Sequence, residues 1–129
     1  GVQLSSQAIE ELRNEISNRH GKSYIPDNPR VYKSKAANAQ EAHEAIRPTD
    51  IARDPESISN YLDAEQLKLY DLIWKRTISS QMQSAELDET AADISSKDQS
   101  ITFRANGSQV IFPGFFVFYK YANTIFMFP

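Results

Sequence analysis

Pro48 sets the strongest limit on how the most informative stretch of this chain can fold. It closes the run Asn38-Ala39-Gln40-Glu41-Ala42-His43-Glu44-Ala45-Ile46-Arg47-Pro48-Thr49. Proline has no N–H and disfavours helical geometry at the residue before it, so a helix entering this run stops near Ile46 or Arg47. Read as a helix, the run places Gln40, His43, Glu44 and Arg47 at i, i+3, i+4 and i+7, on one face. Ala39, Ala42 and Ile46 then fall on another face, where small side chains let the helix sit close to a neighbour. His43 and Arg47 end up one turn apart at the helix end.

That pairing suits a phosphate that must be both held and acted upon. A guanidinium offers a planar fork of donors to phosphate oxygens, and an imidazole donates or accepts a proton near neutral pH. The same residues also read as an ordinary solvated helix face with modest ion pairs and a structural histidine. The spacing alone leaves both readings open.

The rest of the chain is ordinary for one soluble-type domain: 129 residues, 40% hydrophobic and 24% charged. There is no cysteine, which excludes disulfides and thiolate metal sites and fits a reducing cytoplasm. Two histidines without cysteine argue against structural zinc, so no metal site is expected. No secretory leader and no run of roughly 18 apolar residues is present, so no membrane partner is expected. The net charge of −3 is not that of a dedicated basic DNA-binding domain. Its distribution is uneven. Between Arg19 and Arg53, Arg19, Lys22, Arg30, Lys33, Lys35, Arg47 and Arg53 face only Asp27, Glu41, Glu44 and Asp50. From Asp54 to Asp98 the balance reverses, which places any nucleic-acid surface in the first half.

In order, Ser5 reads as the N-cap of a helix with Ala8, Ile9, Leu12 and Ile16 on its apolar stripe and Gly21 as its C-terminal stop. His20 belongs to that helix end rather than to a ligand set. Pro26 and Pro29 make residues 22–38 an ordered connector. There Tyr24, Arg30, Tyr32, Lys33 and Lys35 interleave aromatics with positive charge, as in surfaces that stack bases and track a single-stranded backbone. A surface loop pinned by its tyrosines has the same composition. Asp54-Pro55 starts a short helix through Tyr61, and Asp63 caps a longer one to about Met82, burying Leu67, Tyr70, Ile73, Trp74, Thr77 and Ile78. Trp74 is a core anchor, and Lys75 and Arg76 read as solvated charge.

Around Gln83 the pattern changes to period two. Residues 85–91, 100–105 and 109–112 are strand candidates separated by Ser95-Ser96-Lys97-Asp98-Gln99 and by a turn at Asn106-Gly107, giving two hairpins. The expected class is α+β: a helical part, 1–83, followed by short antiparallel strands, 84–129. The aromatic stretch 116–129 is a sticky edge unless it pairs or buries.

The eleven residues Ala39-Gln40-Glu41-Ala42-His43-Glu44-Ala45-Ile46-Arg47-Pro48-Thr49 closely resemble the signature that type IA DNA topoisomerases, the bacterial topoisomerase I kind in particular, carry downstream of their nucleophilic tyrosine. Val2-Gln3-Leu4-Ser5, the approach from Tyr24 to Ala37, and Leu69-Tyr70-Asp71-Leu72-Ile73-Trp74-Lys75-Arg76 resemble the flanking family segments. The likeness covers roughly 2–116, and the aromatic tail departs from it. It implies that 1–83 belongs to the tyrosine-bearing cleavage domain and 84–129 to the start of the arch, or gate. It implies a Tyr-Met-Arg-Thr-Asp-like run just ahead of Gly1, which would make the chain an internal piece unable to cleave DNA alone. It implies Mg²⁺ held by carboxylates outside this chain, and as partners DNA, mainly single-stranded, and the rest of a topoisomerase polypeptide on the cytoplasmic nucleoid. His43 would position or protonate the scissile phosphate and Arg47 would orient it, with Arg30, Lys33, Lys35, Gln40 and Glu44 lining the DNA site. Gln40 and Glu44 are also candidates for fixing the imidazole. Two other readings stand beside this one: a non-catalytic single-stranded DNA-binding module, and a degenerate topoisomerase remnant.

Overall fold

The structure, a computed structural model, describes residues 3–32 and 44–119 and the backbone of 126–128. It is α+β, and it divides into two compact units, Gly1–Gln83 and Ser84–Pro129.

In the first unit, helix α1 (Ser6–His20) begins where the Ser5 hydroxyl accepts the Ala8 N–H at 3.3 Å. It ends at Gly21, whose φ of 94° is the left-handed geometry that glycine adopts without a Cβ penalty. Ala8, Leu12 and Ile16 are buried and Ile9 is half-buried, so the stripe expected from the spacing is the core face. Helix α2 (Ala64–Ser80) opens with a reciprocal cap. Gln66 N–H donates to the Asp63 carboxylate at 2.8 Å, and Asp63 N–H donates to the Gln66 side chain at 3.1 Å.

Trp74, Thr77 and Ile78 of α2, together with Ile51 and Met82, complete the core with the α1 stripe. Leu67, Tyr70 and Ile73 are only half-buried. Leu12, Ile16, Ile78 and Met82 have essentially no exposure, and each such side chain contributes about 1.5–3 kcal/mol of burial. Between 50 and 61 the backbone turns, with a 3-10 turn at Ser59–Tyr61 in place of the short α-helix expected there. The Asp54 carboxylate does accept the Ser57 N–H at 2.8 Å, but it caps a turn that does not propagate. Two α2 side chains hold this segment: Trp74 Nε1–H donates to Ile51 O at 2.8 Å and Tyr70 O–H to Arg53 O at 2.6 Å. Arg19 ties it to α1 through Asp54 (2.9 Å) and Ala52 O (3.0 Å), and it also pairs with Glu15. Its guanidinium lies 5.4 Å from the Trp74 ring centroid.

The signature departs from the helical reading wherever it is described. Glu44 forms a parallel bridge with Gln3, and the Ala45 N–H goes to Gln3 O at 3.0 Å. An amide committed to another segment cannot donate along a helix, and Glu44 to Arg47 are not helical. Ile46 is 83% exposed rather than packed against a neighbouring helix.

The second unit is a sheet of order β1-β2-β3, with β1 Glu86–Ser95, β2 Thr102–Phe112 and β3 Phe126–Phe128, all antiparallel. The single reversal between β1 and β2 falls at residues 96–101. There Ser96 N–H donates to Ile101 O at 2.9 Å, Gln99 takes a φ of 58°, and the Asp98 carboxylate accepts from the Ser96 hydroxyl and the Ser100 N–H. Asn106-Gly107 is not a turn: both residues sit inside β2, opposite Ala91 and Thr90. One long hairpin therefore replaces the two expected. Asp93 and Arg104, directly opposite each other, make a bidentate pair at 2.7 and 3.0 Å, a cross-strand contact that fixes the register. β3 adds the aromatic tail to this sheet, with Phe126 opposite Asn106 and Phe128 opposite Arg104.

Candidate nucleic-acid interface

Three separate stretches meet at the C-terminal end of α2. The first is Gln3–Ser5, the lead into α1. Gln3 donates through its side-chain nitrogen to Tyr32 O at 2.9 Å while its backbone pairs with the signature. The second is Arg30–Tyr32, held to α2 by two contacts. Buried Gln81 accepts Arg30 N–H at 3.1 Å and donates to Arg30 O at 3.0 Å, and Tyr32 O–H donates to Ser80 O at 2.8 Å. The third is Glu44–Pro48. Together they surround a cleft of about 210 Å³ lined by Gln3, Arg30, Tyr32, Ile46, Arg76 and Gln81, among others.

The polar centre of the signature is Glu44. Its carboxylate accepts the Ser5 N–H at 3.1 Å and the Arg47 Nε–H at 2.8 Å. The Arg47 bond, then the Ser5 amide, pull the Glu44 carboxyl down to about 2, so Glu44 is charged at any physiological pH. The same bond raises Arg47 above the ordinary arginine value. Arg47 Nη1 also donates to Pro48 O at 3.3 Å, and Pro48 is buried.

Among the residues expected at the site, the structure thus brings Arg30, Glu44 and Arg47 to one region. Lys33, Lys35, Gln40 and His43 lie outside the described residues. Arg76, read from sequence as solvated charge, lines the cleft, whereas Lys75 is taken up by Asp71 at 2.7 Å. Gln81 and Gln3 carry no signal in the sequence: neither is periodic, and their work is done on the backbone of distant segments. His20 packs its ring 5.3 Å from that of Tyr24. Burial, then the charge of Arg19, hold His20 below its ordinary value, which suits a helix-end residue that stays neutral.

Among the described residues, no three His, Cys, Asp or Glu side chains cluster as a metal site. No described helix is long and apolar enough to cross a membrane.

A family model described as DNA topoisomerase matches residues 1–125. The chain belongs to the DNA topoisomerase family. DNA topoisomerase 1 of Rickettsia conorii is 48% identical over 120 residues, which is 93% of this chain and 16% of that protein. DNA topoisomerase 1 of Xylella fastidiosa is 44% identical over 119 residues, 92% of this chain and 14% of that protein. Among solved structures, full-length topoisomerase I from Thermotoga maritima superposes with a TM-score of 0.76 at 36% identity, covering 95% of this chain and 19% of that one. The likeness is thus to bacterial topoisomerase I, the type IA class. The chain spans about a sixth of the length of these relatives.

Proposed function

We propose that this chain is a working part of a type IA topoisomerase that relaxes negatively supercoiled DNA by cutting one strand, passing the other through and resealing. The observation that carries the reading is the signature itself, with Glu44 and Arg47 joined to each other and to the residues that lead into α1. In the reaction a tyrosine hydroxyl attacks a phosphodiester of single-stranded DNA. Its oxygen bonds to phosphorus, its proton is released, and the freed strand end departs as a hydroxyl that takes up a proton. His43 positions the scissile phosphate or supplies that proton, and Arg47 orients and neutralises it. Arg30, Lys33 and Lys35 grip neighbouring phosphates, and Gln40 supports the imidazole. The phosphotyrosine link keeps the bond energy, so no nucleotide is consumed.

In this reading the nucleophilic tyrosine belongs to a larger polypeptide, and this chain does not cleave DNA alone. Mg²⁺ belongs to carboxylates elsewhere in that polypeptide. By the same reading, residues 1–83 form part of the cleavage domain and 84–129 part of the gate, and the enzyme works on the nucleoid in the cytoplasm.

The test is His43→Ala in the complete enzyme. Cleavage of a single-stranded oligonucleotide should fall by about a hundredfold or more, while affinity for it falls far less, because a group acting on developing charge is lost and most phosphate contacts remain. Parallel losses of cleavage and affinity would leave only a gripping role for the histidine and favour a non-catalytic binding module.

A further inference from the structure

Glu44 has two partners that belong to different parts of the first unit. Ser5, whose N–H it accepts, is also the residue whose hydroxyl caps α1 and whose carbonyl receives Ile9 N–H at 3.0 Å. Through α1, with Leu12 and Ile16 fully buried, that contact anchors the signature to the core of the unit. The second partner is Arg47, at Nε. With Nη1 turned to Pro48 O, two of the three guanidinium nitrogens donate to protein acceptors, and the charge of Glu11 on α1 also acts on the group.

We propose that Glu44 is a positioning residue for strand cleavage: its carboxylate couples the α1 N-terminus to Arg47 and thereby fixes the guanidinium for a phosphate. This differs from a carboxylate that lines the DNA or orients the imidazole. A carboxylate already satisfied by a backbone amide and a guanidinium contributes no attraction to DNA. Its value lies in the geometry it imposes, since misplacement of a reacting group by about 1 Å costs around a hundredfold in rate. The proposal rests on the catalytic reading of His43 and Arg47 given above.

The experiment compares Glu44→Ala, Glu44→Gln, Arg47→Ala and the Glu44→Ala/Arg47→Ala double variant in the complete enzyme. It measures the fraction of a single-stranded oligonucleotide cleaved, the affinity for that oligonucleotide on a background whose nucleophilic tyrosine is phenylalanine, and the melting temperature. Glu44→Ala should cut cleavage by about ten- to a hundredfold with affinity changed by less than about threefold. The double variant should cleave about as well as Arg47→Ala alone, because the pair acts as one unit. Glu44→Gln keeps an oxygen for the Ser5 N–H and so guards against simple loss of folding; it removes only the charge that holds Arg47, and must still show the cleavage defect. Normal cleavage by either Glu44 variant, or losses that multiply in the double variant, overturns the proposal. If His43→Ala is inactive while the Glu44 variants are normal, only the coupling fails; if His43→Ala cleaves normally, the catalytic reading fails first.

Discussion

Gln81 holds Arg30 from both sides, its side-chain oxygen on the Arg30 N–H at 3.1 Å and its nitrogen on the Arg30 carbonyl at 3.0 Å. The amide does for this loop what a neighbouring strand would do, and at 2% exposure no water can replace it. Gln81→Leu keeps most of the volume but strands two backbone groups, each at a cost of about 1–3 kcal/mol. Urea unfolding should register a loss of about 2–5 kcal/mol. A loss below about 1 kcal/mol would mean that the loop finds other partners and that Gln81 does not set the position of Arg30.

Trp74 is the single tryptophan of the chain and is 3% exposed. Its indole N–H is committed to Ile51 O and its ring to the Arg19 guanidinium. Trp74→Phe removes the donor, leaves the carbonyl of Ile51 unsatisfied and weakens the cation contact. The expected cost is about 2–4 kcal/mol, read from circular-dichroism melts. In the unaltered chain, tryptophan emission should be blue-shifted when folded and shift red in one transition that reports the first unit. Emission typical of water under native conditions would contradict the burial.

Elements set by local chemistry were legible in the sequence. Ser5, Gly21 and Asp63 punctuate the two helices because capping acts within three residues, and Ala8, Leu12, Ile16, Trp74 and Ile78 repeat at helical spacing. The signature misled for the opposite reason. Its residue types favour a helix locally, yet the Ala45 amide is claimed by Gln3, some forty residues away, a competition no periodicity reveals. Asn106-Gly107 departs from its local preference in the same way: the pair favours a tight turn, but the Ser-Asp-Ser cluster at 96–100 captures the reversal and leaves it in mid-strand. Of the candidate site, the residue types of Arg30, Glu44 and Arg47 were visible, whereas the cleft wall made by Gln3, Arg76 and Gln81 exists only once distant segments meet.

Acid should destabilise the first unit in a defined window. Glu44 is held down to about 2 by Arg47 and the Ser5 amide, and Asp54 is lowered by the Ser57 amide and then by Arg19. Both carboxyls have folded values below their unfolded ones, so the unfolded chain binds more protons as pH falls. The stability they contribute is complete above about pH 4.5 and is lost as pH falls through the folded values, that of Glu44 lying at about 2. His20 adds a gentler slope of the same sign. Its folded value lies below 6.5, so its contribution declines as pH drops through that point. Melting temperatures between pH 7 and pH 2 should fall slightly below pH 6.5 and steeply below pH 4.5. Glu44→Gln and Asp54→Asn should each flatten the steep limb, and an unchanged limb in both would show that other groups govern it.

Two glycines should respond to alanine in opposite directions, and the contrast tests the hairpin register. Gly21 has a φ of +94° with open space around the position of a Cβ, so the penalty of Gly21→Ala is backbone strain alone. It should destabilise the first unit by about 1 kcal/mol. Gly107 has an ordinary strand φ and nothing within 4 Å of a built Cβ. Gly107→Ala removes freedom only from the unfolded chain and should stabilise the β1–β2 hairpin by about 0.4–1 kcal/mol. Had Asn106-Gly107 formed a tight turn, the glycine would need positive φ and the same change would destabilise. Hydrogen exchange of the Thr90 and Ala91 amides, opposite Gly107 and Asn106, reads the outcome: slower exchange in Gly107→Ala supports the continuous strand, and faster exchange restores the turn.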